Sequence, residues 1–168
     1  NDLGRHADIA TMYRAGAREF VTKPRDVMRL ANTLSFTYAA AKGEVNAADF
    51  IALEILRLMK PEVYALIRNA PGMFLAQYHS IPSAQMAIRE FHNKWLTQQQ
   101  DDQKPLLELI SFLFPQLQPF VGGVSQFGSR GFDLSSSRRS LRLCVAEILP
   151  VYFRLEVGRH VISHNTLR

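Results

Sequence analysis

Two arginines four residues apart, Arg25 and Arg29, directly follow Lys23-Pro24 and fall in the first turns of a helix that Pro24 is suited to open. Their spacing puts both guanidinium groups on one helical face beside the positive N-terminus, an arrangement that faces phosphate. The chemistry this points to is charge contact with a nucleotide phosphate, and Arg25 is the better placed because it lies in the first turn. The competing reading is an ordinary surface pair balanced by Asp26 and solvent.

A second set, Arg130, Arg138, Arg139 and Arg142, is interleaved with Phe127 and Phe132. Arginine for phosphate and aromatic rings for stacking would suit an anion or a single-stranded nucleic acid. Residues 1–114 hold 13 Lys+Arg against 12 Asp+Glu, a net of +1, whereas residues 115–168 hold seven against three, a net of +4. An anionic partner would therefore meet the C-terminal part, but this excess is modest beside dedicated nucleic-acid binders. A basic face turned toward another part of the protein or toward solvent is the favoured reading, with nucleic acid second.

Other chemistry is poorly supported. His160 and His164 have the spacing of a metal pair on a helix, but no third ligand lies near and Val161-Ile162 favours an extended backbone, so no metal site is expected. His6, His79 and His92 stand alone and read as packed or surface residues. Glu54 and Glu62 lack the partnered carboxylate of acid–base catalysis, and no catalytic residue is assigned. The single cysteine, Cys144, reads as a small core hydrophobe in a reduced, cytoplasmic protein.

The elements that must position these groups are helical. Asp2 to Val21 gives an amphipathic pattern through Leu3, Ile9, Met12, Ala15 and Phe20. From Pro24 to about Lys42, Val27, Leu30, Ala31, Leu34 and Tyr38 form a stripe expected to be buried, with Arg25, Arg29 and Asn32 opposite, and Gly43 ends the helix. Asn46 is a good N-cap for a helix from Ala47 to about Lys60, whose polar residues narrow to a wedge of Asp49, Glu54, Arg57 and Lys60. A continuation from Pro61 stops at Pro71-Gly72. Helices then follow from Pro82 to about Gln100 and from Lys104 to Phe114, the latter apolar enough to be buried on most sides.

Beyond Pro115 the composition shifts. Four glycines, Pro119 and Ser135-Ser136-Ser137 predict a long irregular loop over 115–137. Arg138 to Tyr152 reads as a strand leading into a helix, although Pro150 falls where that helix would need an N–H. The expected architecture is mainly α: a bundle-like region over 1–114, the Gly/Ser-rich loop, and a basic segment over 138–168 that packs on the helices and has room for one or two short strands. No run approaches the 18 or more apolar residues of a membrane span.

The segments Lys23-Pro24-Arg25-Asp26-Val27 with Arg29-Leu30 and Asn32, Glu44-Val45-Asn46 with Asp49, Leu56-Arg57, and Pro61-Glu62-Val63-Tyr64 with Ile67-Arg68 and Pro71 occur here in order. So do Leu113-Phe114-Pro115, Arg138-Arg139, Tyr152-Phe153-Arg154 and Ile162-Ser163. Together they resemble the C-terminal part of the KAP family of P-loop NTPases, over about Thr22 to Ser163. The sequence departs from the family's pattern at Val27-Met28-Arg29-Leu30, at Cys144-Val145 and at Leu149-Pro150-Val151-Tyr152.

The resemblance implies a helical lid in which Arg25, with Arg29, senses the terminal phosphate of a nucleotide held elsewhere, coupling ATP binding or hydrolysis to signalling or to phage defence in a bacterial protein. No Gly-rich turn ending in Lys-Ser/Thr is present, so ATP and Mg are implied for a parent protein and no turnover is expected of this chain alone. A chain starting at Asn1 reads as the C-terminal part of a longer protein, with the P-loop core as its first partner. A protein partner or a second copy would serve the alternative, an interaction module independent of nucleotide. Relatives often carry transmembrane helices elsewhere in the NTPase domain, so membrane association of the parent stays open.

Overall fold

The structure, a computed structural model, describes residues 2–77, 80–121 and 133–154, with side chains from residue 6 onward. It is mainly helical, and among these residues there is no strand, only an isolated bridge between Lys42 and Val45. The short strands allowed for near the C-terminus are absent from the described part of that segment.

The chain opens with α1 (Asp2–Met12), a wide turn over Tyr13–Ala17 and α2 (Arg18–Phe20). The sequence pattern reads as one continuous helix here, and Gly16 is the reason it is not. At φ +104° Gly16 breaks the helical path, and the same position lies against the Pro105 carbonyl, so close that any Cβ would collide with it. The kink thus seats the N-terminal segment on a helix from much later in the chain.

Two proline-started helices flank the core: α3 (Pro24–Ala41) and α5 (Pro61–Asn69). Between them α4 (Ala47–Met59) begins as its sequence dictates. The Asn46 carboxamide oxygen accepts from the N–H groups of Ala48 at 3.0 Å and Asp49 at 3.2 Å. Phe50, Leu53 and Leu56 are buried on one side of α4, with Ala52 and Ile55 beside them. The same core takes in α8 (Gln103–Leu113), which packs mainly on the Tyr13–Ala17 turn and whose Leu106, Leu109, Ile110 and Leu113 are fully enclosed. Each such leucine contributes about 1.5–3 kcal/mol by leaving water.

Between α5 and α8 lie the single turn α6 (Pro71–Phe74), α7 (Pro82–Leu96) and a 3₁₀ stretch, Thr97–Asp102. The predicted helix to Gln100 stops short because the backbone reverses at Gln100, φ +45°. Lys60 forms an ion pair with Asp102 across this junction.

The predicted irregular loop is corrected at both ends. Pro115–Leu117 is a 3₁₀ turn leading into α9 (Gln118–Val121), whose Phe120 and Val121 are buried. The Ser run lies in α10 (Leu134–Arg139), capped by the Asp133 carboxylate, which accepts from Ser135 N–H at 3.0 Å. Residues 140–148 are turns rather than a strand. The backbone is helical again over 149–154, with Pro150 in the first turn, where its missing N–H has no partner to lose.

The buried stripe expected on α3 is also corrected. Val27 is 50% exposed, and Leu30, Leu34 and Tyr38 are only partly covered, so Ala41 is the one fully buried residue of the helix. Helix α3 leans on the core along a narrow line instead of entering it.

Candidate functional site

Pro24 sets the first turn of α3, and no side chain caps it. Arg25 and Arg29 project from these turns and are exposed. Neither makes an ion pair or a side-chain hydrogen bond among the described residues, so the Asp26 partnership expected for an ordinary surface pair is not formed. Around them lie Met28, 61% exposed, and Phe36, 74% exposed. Helix α3 therefore presents two guanidinium groups unpaired among the described residues and two separate exposed apolar side chains.

The C-terminal arginines do not form the common patch their spacing suggested. Arg142 turns inward: its Nε–H donates to Asp49 Oδ2 at 2.7 Å, its terminal amino group donates to the Phe112 carbonyl at 2.7 Å, and its guanidinium lies 4.8 Å from the Phe112 ring centre. Burial works against this charge, but the Asp49 carboxylate beside it holds the Arg142 pKa above the usual value. Arg142 is thus a structural cation and is withdrawn from the anion-binding set. Arg138 pairs with Glu147 at 2.7 Å on the surface. Arg139 is exposed and makes no ion pair among the described residues. Arg130, with Phe127 and Phe132, lies outside them.

Asp49, placed on the polar wedge by its sequence, is completely buried. Besides Arg142, the Leu143 N–H donates to the same oxygen at 2.7 Å. Burial pushes the Asp49 carboxyl up from the ordinary range, against the lowering effect of Arg142 and the Leu143 N–H. A signal for this burial was present: Asp49 shares a helical face with Leu53 and Leu56.

One turn earlier, the Asn46 backbone N–H donates to the Leu141 carbonyl at 3.1 Å and the Tyr152 hydroxyl at 3.0 Å. The Tyr152 hydroxyl in turn donates to Leu141 at 2.7 Å. The Asn46 amide donates to Ser140 at 3.2 Å. The polar residues of the Glu44-to-Asp49 segment therefore fasten the start of α4 to residues 140–143 and Tyr152, a structural tie that no periodicity in the sequence announces.

His92 is fully buried among Phe74, Phe91 and Trp95. Trp95 Nε1–H donates to His92 Nδ1 at 3.0 Å, which makes Nε2 the protonated nitrogen, donating to the Met73 carbonyl at 3.1 Å. Burial lowers its pKa, so the ring is a neutral core member. Cys144 is buried and its thiol is pushed up to about 11 by that burial, in keeping with a packing residue. Glu54 is held by Arg57 on the next turn at 2.6 Å. No group of three or more His, Cys, Asp or Glu among the described residues could hold a metal ion. His160 and His164 lie outside the described residues, and none of the described helices is long and apolar enough to cross a membrane.

Comparison with protein-family models, curated proteins and solved structures finds no match to this chain.

Proposed function

We propose that this chain is the helical lid region of a KAP-type P-loop ATPase and that α3 is its nucleotide-facing element. The observation that carries the reading is the state of Arg25 and Arg29: exposed, unpaired among the described residues, and on the first turns of an uncapped proline-started helix. A guanidinium left without an internal partner costs little to redirect toward a phosphate, and the helix N-terminus beside it adds to the attraction. The residues present fit a contact with the terminal phosphate of ATP. They do not supply a phosphate cradle or magnesium ligands, which this reading assigns to a P-loop core outside the chain. The role of α3 is to add positive charge to the transferring phosphate when the lid is closed.

The exposed Met28 and Phe36 side chains favour a second reading, docking of a protein partner on α3 independently of nucleotide. Two measurements separate the readings. The 168-residue chain alone should show no ATP turnover above background, and turnover would overturn the lid assignment. In the protein carrying the upstream coding sequence, a Walker A motif is expected, and Arg25→Ala should reduce ATP hydrolysis. Hydrolysis at the wild-type rate, with partner capture lost in Phe36→Ala, would favour the docking reading.

A further inference from the structure

Arg139 is the described member of the C-terminal arginine cluster that makes no ion pair, and the cleft it lines suggests why. Arg142 is used internally and Arg138 is paired with Glu147, whereas Arg139 borders a cleft of about 510 Å³ where α1, the C-terminal end of α3, the start of α4 and the end of α10 meet. Lys42, just past the end of α3, lines the same cleft. It is also exposed and makes no ion pair among the described residues. Two cationic residues from segments almost a hundred residues apart in sequence thus line one concavity.

The remaining lining is specific in its chemistry. Ala47 is the first residue of α4, and its N–H is not one of the two that the Asn46 side chain takes. Asp8 and Tyr38 also line the cleft, as does Ser140, whose hydroxyl donates to the Ser136 carbonyl at 2.7 Å. The cleft is floored by the hydrogen-bonded tie between Asn46 and residues 140–141, which gives it a fixed base.

We propose that this cleft binds a small phosphate monoester bearing hydroxyl groups, of the size of a sugar phosphate. Lys42 and Arg139 take the phosphate, assisted by the positive end of α4. Asp8 opposes a bare anion but accepts hydrogen bonds from hydroxyl groups on the carbon skeleton of the ester, so it selects the ester over inorganic phosphate. The cleft volume falls within the range of small-molecule sites. Because the ligand would join the end of α3 to the end of α10, its binding favours the arrangement in which both are docked. The site is separate from Arg25 and Arg29 at the other end of α3, and the inference does not depend on the ATPase reading.

The test is titration of the 168-residue chain with ribose 5-phosphate, read by calorimetry and by the shift in thermal midpoint, with inorganic phosphate and ribose as comparators. Saturable binding of ribose 5-phosphate that weakens with salt is expected. It should be about tenfold weaker in each of Lys42→Ala and Arg139→Ala, as for loss of one charge-assisted contact, and unchanged in Arg138→Ala. Both lost side chains are exposed and unpaired among the described residues, so the unliganded variants should melt as the wild type does. The proposal is overturned by absence of saturable binding, by binding that neither substitution weakens, or by inorganic phosphate binding as tightly as the ester.

Discussion

Replacing Arg142 by alanine separates the two roles that its sequence allowed. As a surface group recruiting anions, its loss would change stability by no more than about 0.5 kcal/mol. As the partner of a fully buried carboxylate, its loss leaves Asp49 with a single neutral donor, the Leu143 N–H, and one oxygen that already has no partner among the described residues. Breaking a buried pair in this way costs about 3–5 kcal/mol, a large share of the roughly 5–15 kcal/mol that holds a domain together.

Asp49→Ala should cost less, about 2–3 kcal/mol. The guanidinium it strands retains 18% exposure, the Phe112 carbonyl and the Phe112 ring. The double variant Asp49→Leu with Arg142→Met should recover much of the loss, because two apolar groups need no partner. The pH dependence has a definite sign. A carboxyl whose folded pKa is raised contributes stability at pH below its unfolded value and loses it as pH rises, and in Arg142→Ala the opposing lowering by Arg142 is gone. That variant should therefore gain on the wild type as pH falls toward the ordinary carboxylate range. Urea unfolding followed by far-ultraviolet circular dichroism, with the double-mutant cycle, measures all of this. A loss under about 1 kcal/mol for Arg142→Ala, or a pH-independent loss, refutes the buried pair.

Three further outcomes follow from the packing. His92 has a lowered folded pKa, so its contribution is present above its ordinary value of 6.5 and lost as pH falls through and below it; His92→Gln should flatten that part of a stability–pH curve measured by urea unfolding. Gly16→Ala combines a positive φ with collision against the Pro105 carbonyl and should lower stability by at least about 2 kcal/mol, visible as a clear drop in thermal midpoint. Leu109→Ala should cost about 2–5 kcal/mol by opening a cavity beside α8, while the half-covered Leu30→Ala costs clearly less and Arg25→Ala stays within about 0.5 kcal/mol; equal losses for Leu30 and Leu109 in urea unfolding would contradict the shallow seating of α3.

Local chemistry is what the sequence by itself determined. Pro24, Pro61 and Pro82 open helices because a first-turn residue needs no N–H, Asn46 caps α4 through two backbone donors, and the dense apolar runs of α4 and α8 find the core. Each depends on residues within a turn or two of one another. The mainly helical class is legible for the same reason. Tertiary structure alone decided what each exposed-looking residue meets. Periodicity marks an apolar face but not whether a neighbour covers it, which is why Val27 lies half in solvent although its spacing matched a core stripe. Charge clustering marks a basic segment but not the direction of each side chain. Arg142 reaches across 93 positions to Asp49, Arg138 stays on the surface with Glu147, and Arg139 lines a cleft together with Lys42. The Arg142–Asp49 pairing is set by the docking of distant segments, and no window of neighbouring residues contains both partners.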